Sequence, residues 1–250
     1  MHAVLARALC FSTFGLGGIV LALTVLPAAH LWPGRRATRA HRARRVIHHS
    51  FRFFVWLMRV TGCIELQIKG GEQLASSRGQ LVVANHPSLI DVVILIAQMP
   101  DYCCIVKREL GQNQFIGGGV RWTGYISNAD SAALLAQCEA VLDAGISLLV
   151  FPEGTRTKNP EQLKFKRGAA NIATRCGVDI VPASIRVSPP TLRKGEAWNA
   201  IPATRPVFAI EVHPVIALDS IIDPNIEPSL ATRRLNTHLL DFYQGLLNHG

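Results

Sequence analysis

The chain has 250 residues, 49% of them hydrophobic, and a formal net charge of +9 from 26 Lys and Arg against 17 Asp and Glu. That length suits one α/β domain with residues to spare, the mean hydropathy of +0.24 is high for a soluble protein, and the basic balance requires an anionic partner or surface. No aromatic-interleaved basic sheet or zinc-ligand spacing accompanies the charge, so no nucleic-acid partner is expected.

Six cysteines, at positions 10, 63, 103, 104, 138 and 176, lack metal-ligand spacing, and a disulfide between adjacent Cys103 and Cys104 would be strained. They read as small core hydrophobes in a reducing compartment.

From Ala8 to Pro33 there is no Asp, Glu, Lys or Arg. As a helix, Leu9 to Leu31 would run roughly 35 Å at about 1.5 Å per residue, enough to cross or deeply enter a bilayer. A secretory signal has a shorter apolar core with its positive charges ahead of it. Here only Arg7 precedes, whereas Arg35, Arg36, Arg39, Arg42, Arg44 and Arg45 follow. Basic residues stay inside, which puts the N-terminus outside and everything after Arg35 on the cytoplasmic side of an inner (cytoplasmic) membrane. Gly15, Gly17, Gly18 and Pro27 leave a re-entrant anchor open. The arginines suit a phospholipid surface with anionic head groups, at about 1 kcal/mol each. Val46 to Val60, with Ile47, Phe51, Phe54, Val55, Leu57 and Met58 interrupted by His48, His49, Arg52 and Arg59, reads as an amphipathic interfacial helix. Residues 1–62 are thus an N-terminal helical membrane anchor, and residues 63–250 the domain that follows.

Ile64 to Lys69 reads as an edge strand before the turn Gly70-Gly71, and Leu81 to Ala84 as a buried strand. Leu89, Ile90, Val93, Ile94 and Ala97 form the buried face of a helix. Pro87 is expected in its first turn, with His86 at the mouth of the loop and Asp91 inside the helix. Tyr102 to Val106 is a strand with Lys107 at its end, Gly117-Gly118-Gly119 a loop, and Gly124 to Ser127 a strand. Asp130 to Asp143 is a helix stopped by Gly145. Leu148 to Phe151 is a central strand, Ala169 to Cys176 a helix ended by Gly177, and Ile180 to Val187 a strand despite Pro182. Val207 to His213 is a further strand and Ser229 to Leu247 a closing amphipathic helix. Thr191 to Ile201 gives no signal, and Trp198 fits a core cover as well as a ligand contact. Such alternation predicts an α/β fold, a mixed, mostly parallel sheet flanked by helices. Ligands gather at the carboxyl ends of its strands, where His86, Lys107 and Glu153 stand.

Two stretches carry chemistry. In Asn85-His86-Pro87-Ser88-Leu89-Ile90-Asp91 the Asp91 side chain leans back toward the helix start, within reach of His86. One ring nitrogen is then held as a donor and the other is left to accept a proton, giving a general base without a covalent nucleophile. Asn85 and Ser88 also fit plain helix capping, with Asp91 offsetting the dipole. In Phe151-Pro152-Glu153-Gly154-Thr155-Arg156, Gly154 lets backbone approach an anion and Arg156 offers a forked donor suited to phosphate or carboxylate. Lys164, Lys166 and Arg167 add a basic rim. Alone, this stretch also fits a solvated loop.

These two motifs, about sixty residues apart and in this order, resemble those of the glycerolipid acyltransferase family that includes 1-acyl-glycerol-3-phosphate acyltransferases. The likeness runs from about Gly70 to Arg186, and Ile180-Val181-Pro182-Ala183 is similar to the family's fourth block, beside the acyl-binding region. It implies a glycerol-3-phosphate acyltransferase-like fold, His86 as base, Asp91 as its orienting partner, and Glu153, Gly154 and Arg156 as acceptor holders. Asn85, Ser88 and Thr155 complete the candidate substrate contacts. One block departs: Asn128 stands where the family has an arginine, and Lys107, Arg121 or Lys166 are the candidate substitutes.

The implied reaction moves a fatty acyl group from a thioester, acyl-carrier protein or coenzyme A, to a hydroxyl of a lipid acceptor, with no metal or other cofactor. A neutral imidazole near pKa 6.5 removes the alcohol's proton as attack proceeds, and Asp91 fixes the tautomer and stabilises the imidazolium. Charge on the thioester oxygen calls for backbone N–H groups near the helix start or the Gly154 turn. Acceptors other than lysophospholipids stay open, including an amino-acid lipid. So do a serine hydrolase built on Ser88, which lacks a Gly-x-Ser-x-Gly elbow, and a non-catalytic lipid-binding membrane protein.

Overall fold

The apolar N-terminal stretch is helical almost without a break. Helix α1 (His2–Val20) passes through a π-helical turn (Leu21–Val25) into α2 (Leu26–Leu31), with Pro27 in the first turn of α2, where its missing N–H costs nothing. The computed structural model describes residues 2–106, 122–128, 131–157, 163–223 and 225–248. Trp32 to Gly34 reverse the chain, and α3 (Arg36–Val60) returns antiparallel to α1 as one helix that joins the basic segment to the amphipathic one. Near the turn, Arg42 donates to the carbonyl oxygens of Trp32 and Pro33. Midway, Phe14 packs on Phe51 and Phe54 at 6.0 and 4.7 Å. At the open end, Cys10 Sγ lies 3.3 Å from Thr61 Oγ1 and 3.7 Å from Cys63 Sγ.

Val4–Leu31 is long and apolar enough to cross a membrane, with mean hydropathy 2.1 and 11% of its most apolar window buried. Leu16, Leu23, Leu31 and Trp32, with Phe53, Trp56 and Val60 of α3, present exposed apolar surface. The expected placement of the N-terminus across the membrane from the domain does not survive. Arg7 is buried and its guanidinium donates to the Ala200 carbonyl at 2.6 Å, so the start of α1 lies against the domain that follows Arg35. A span of about 30 Å of hydrocarbon between the two would forbid that contact. Arg7 is a docked residue rather than a flanking charge.

The rest is an α/β unit: β1 (Glu65–Lys69), α4 (Gly71–Ser76), β2 (Leu81–Ala84), α5 (Asp91–Ile96), β3 (Tyr102–Val106), β4 (Ile126–Ser127), α6 (Ser131–Asp143), β5 (Ser147–Val150), α7 (Gly168–Cys176), β6 (Ile180–Ser188), β7 (Val207–Val212) and α8 (Pro228–Asn248). The strands form one sheet in the order β1-β7-β6-β2-β5-β3-β4, each neighbouring pair parallel except β6 with β7. The inner strands β2 and β5 are buried at every residue, as continuous apolar runs require when both faces are covered. Alternation then sorts the side chains. Val82, Ala84, Cys104 and Leu149 join one core with Phe54, Met58, Ile94 and Leu95 of α3 and α5. Leu81, Val83, Cys103 and Leu148 join the other with α6, α7 and α8. Cys103 and Cys104 therefore face opposite sides of the sheet, and burial pushes the Cys103 thiol up to about 11.

Strand β6 keeps its place at the centre despite Pro182. The Tyr243 hydroxyl of α8, fully buried, accepts from Ala183 N at 3.2 Å and donates to Val83 O at 2.6 Å, closing the seam beside the proline.

Candidate active site

Strand β2 lies between β5 and β6, so its carboxyl end opens at the middle of the sheet's rim. Asn85 follows immediately, buried, with both ends of its amide spent on β6: Nδ2 donates to Ile185 O at 2.8 Å and Oδ1 accepts from Ile185 N at 2.7 Å. That pair carries the ladder one residue past the strand and aims His86 out of the sheet. It also leaves Asn85 as a brace for the loop rather than a group reaching for substrate.

The helix after Pro87 begins later than the proline suggests, at Asp91, so Pro87 sits in the loop and not in a first turn. The reason is local. Asp91 Oδ2 accepts from Ser88 N and Asp91 Oδ1 from Ser88 Oγ, both at 2.6 Å, which bends residues 88–91 into a tight turn ahead of the helix. His86 Nδ1 lies 2.9 Å from Asp91 Oδ2. Asp91 is fully buried while the His86 side chain keeps 16% of its exposure, so the acid is enclosed and the imidazole reaches the surface. Burial pushes the Asp91 carboxyl up, against the opposing pull of its hydrogen bonds from His86 and Ser88. With Nδ1 on the acid, the ring's other nitrogen, Nε2, is the one not held by Asp91. Phe151 lies against the ring, centroids 4.4 Å apart and planes at 30°.

Phe151 follows β5, the strand paired with β2, and the next residues brace the first loop. Glu153 Oε1 accepts from His86 N at 2.8 Å, Glu153 Oε2 accepts from Thr157 Oγ1 at 2.5 Å, and Thr157 N donates to His86 O at 2.7 Å. Both oxygens of Glu153 are thus engaged within the protein, and burial pushes this carboxyl up too. Gly154 has φ +67°, a conformation that L side chains rarely adopt, and the Lys166 side chain lies across it, 3.0 Å from where a Cβ would stand. Gly154 N donates to Phe151 O and Leu89 N to Leu192 O, so two of the amides near the helix start and the glycine turn are already in use.

The comparisons with known proteins point the same way. Residues 65–186 match the family described as Acyltransferase. The 1-acyl-sn-glycerol-3-phosphate acyltransferase of Helicobacter pylori is 40% identical over 110 residues, 41% of this chain and 46% of that protein. The human 1-acyl-sn-glycerol-3-phosphate acyltransferase alpha is 32% identical over 126 residues, 48% of this chain and 44% of that protein. Residues 65–186 belong to the acyltransferase family. The chain thus spans less than half the length of these curated relatives. In fold, it matches the crystal structure of the 1-acyl-sn-glycerophosphate (LPA) acyltransferase PlsC from Thermotoga maritima with a TM-score of 0.77, at 20% identity, over 100% of this chain and 97% of that one.

Within this acyltransferase-family unit the remaining candidates separate. Arg156 NH1 donates to Leu192 O at 3.1 Å and Arg193 O at 3.2 Å, and Thr155 Oγ1 accepts from Lys194 Nζ at 2.9 Å. Lys166 stands at the same turn. Lys107 and Arg121 lie outside the described residues, as does the glycine run at 117–119. Asn128 extends the β3–β4 pairing by donating to Val106 O, at the same rim as His86 but three strands away, about 14 Å at the usual strand spacing. A cavity of about 230 Å³ opens beside the first loop, between Asn85, Pro87, Ile185, Thr191 and Leu247, with Arg186 and Arg193 in its wall. Ser88 is fully buried with its hydroxyl donating to Asp91, which removes it as a nucleophile. Thr157, Phe151 and the segment around Leu192 are the site's unforeseen members. Phe151 opens the second motif and Thr157 adjoins it, whereas Leu192 acts through its carbonyl and leaves no residue-type signal.

Proposed function

We propose that this protein transfers a fatty acyl group from a thioester, acyl-carrier protein or coenzyme A, to a hydroxyl of a lysophospholipid-type acceptor such as 1-acyl-glycerol-3-phosphate. The observation that carries the reading is the 2.9 Å contact between His86 Nδ1 and a fully buried Asp91, with the rest of the imidazole at the surface of the rim. In the reaction the acceptor oxygen attacks the thioester carbonyl while His86 Nε2 takes its proton. Asp91 holds the tautomer and steadies the imidazolium. The C–S bond then breaks, and the departing thiolate takes the proton from His86. Arg156 and Lys166, cations flanking Gly154, hold the acceptor's anionic group. The exposed apolar face of the α1–α3 hairpin and the exposed arginines of α3, Arg36, Arg45, Arg52 and Arg59, seat the protein on a phospholipid surface, on the cytoplasmic side of the membrane, while Arg44 is buried on Asp101.

The test is acyl transfer by purified protein in detergent, with lysophosphatidate and either acyl-coenzyme A or acyl-carrier protein. His86→Ala should lower kcat by about 10² to 10⁴. Turnover near the parent rate would reject the assignment.

A further inference from the structure

Residues 189–200, between β6 and β7, largely coincide with Thr191 to Ile201, which gives no signal in the sequence, yet three parts of the protein meet on them. A carbonyl oxygen has two lone pairs, and Leu192 O spends one on each motif loop: it accepts from Leu89 N at 3.0 Å and from Arg156 NH1 at 3.1 Å. Arg193 O takes a second bond from the same Arg156 nitrogen, and Lys194 Nζ reaches Thr155 Oγ1. Leu192 is buried at 2% exposure with φ +56°, the one non-glycine residue in the left-handed region among the described residues. A leucine holds that conformation only where its surroundings over-determine it.

Much of that determination comes from 185 residues away. Arg7 of α1, 2% exposed, spreads its guanidinium across the segment: NH2 donates to Thr191 Oγ1 at 3.2 Å, and NH1 donates to Ala200 O at 2.6 Å and Trp198 O at 3.3 Å. Phe11, one turn further along α1, packs on Trp198 at 5.9 Å. The planar fork joins the two ends of the segment, which a single ammonium cannot do.

We infer that residues 189–200 form a strap that sets the direction of Arg156, and that Arg7 is a positioning residue acting through it. Among the described residues only NH1 of Arg156 is engaged. With that arm tied to Leu192 O and Arg193 O, the remaining donors are presented in one orientation to the acceptor's anionic group. Loosening the strap frees Arg156 to swing. The strap touches the His86 loop through Leu89 N, but the contacts of His86 with Asp91, and of Asp91 with Ser88, close within that loop. The inference rests on the reading of Arg156 as an acceptor-binding residue.

The experiment is a double-mutant cycle on the full chain in detergent micelles, with lysophosphatidate and acyl-coenzyme A. Arg7→Lys should raise the acceptor KM about five- to twentyfold, leave the thioester KM within about twofold, and leave the pH profile of kcat in place. Thr191→Val, which removes one acceptor at nearly constant volume, should raise the same KM about two- to fivefold and serves if Arg7→Lys does not fold. In an Arg156→Ala background both effects should shrink to less than about twofold, because the residue they act through is gone. Equal effects in the two backgrounds, or a fall in kcat with the acceptor KM unmoved, would overturn the strap while leaving Arg156 in its role. An acceptor KM unchanged by Arg156→Ala alone would instead overturn the reading of Arg156, and the strap with it.

Discussion

The backbone N–H of His86 donates to Oε1 of Glu153 at 2.8 Å, so the loop that carries this imidazole is held in place by the loop that carries Arg156. Glu153→Ala strands two donors, His86 N and Thr157 Oγ1. Each orphaned partner costs about 1–3 kcal/mol. We expect a loss of about 2–4 kcal/mol in urea unfolding, together with at least a tenfold fall in kcat. Glu153→Gln keeps an acceptor for the His86 amide and should recover most of the stability.

Burial raises the carboxyls of both Asp91 and Glu153 above their usual range. A group raised in the folded state holds its proton more tightly there than in the unfolded chain. Its stabilising contribution is therefore complete below the ordinary carboxylate range and is lost as pH rises through the folded-state value. From about pH 4 upward, until each carboxyl has ionised in the folded state, the unfolding free energy should carry a downward contribution from each. Glu153→Gln cannot ionise and should remove one of them. Urea titrations across that interval should show the variant gaining on the parent as pH rises. Parallel curves would place the Glu153 carboxyl back in its ordinary range.

Asp91→Asn and Ser88→Ala separate orientation from nucleophilicity. The first replaces the acceptor that fixes the His86 tautomer and should lower kcat by about 10² to 10⁴, with the acceptor KM little changed. The second removes one donor from a buried carboxylate, costs about 1–3 kcal/mol of stability and pushes the Asp91 carboxyl further up, so the acid limb of the rate profile moves to higher pH. Ser88→Ala should keep at least a tenth of the parent turnover, and a serine-reactive probe should not label the parent protein.

Much of this site was legible because its parts are local. The run Leu81–Ala84 marked β2 to the residue, the run from Leu148 marked β5, and the strands' pairing brought together the two motifs that leave them. Where reading failed, the determinant lay far away in the chain or in the backbone. The hydroxyl that lets β6 run through Pro182 belongs to Tyr243, and the acceptor shared by Leu89 and Arg156 is a peptide oxygen, which leaves no mark in residue type. Arg7 misled for the same reason. A single cation before an apolar run reads as a membrane flank unless its partners, some 185 residues on, are known. Pro87 pointed to an early helix start because proline favours a first turn, but Ser88 and Asp91 close a side-chain turn there first.

The seam between β2 and β6 beneath His86 depends on two polar side chains, Asn85 at the rim and Tyr243 below it. Tyr243→Phe deletes the hydroxyl that joins Val83 O to Ala183 N in a fully buried place, and Asn85→Ala deletes both bonds to Ile185. Buried backbone groups left without partners cost about 1–3 kcal/mol each. Both variants should therefore unfold at lower urea, Asn85→Ala by about 2–4 kcal/mol and Tyr243→Phe by about 1–3. Their kinetics should differ, because Asn85 adjoins His86 while Tyr243 acts three residues earlier, at Val83. Asn85→Ala should lower kcat by at least tenfold through misaimed imidazole, with acceptor KM within about threefold of the parent. Tyr243→Phe should keep kcat within about threefold while the fold holds. If Asn85→Ala instead raised the acceptor KM and left stability intact, the amide would be a substrate contact and the seam would be held by β-sheet pairing alone.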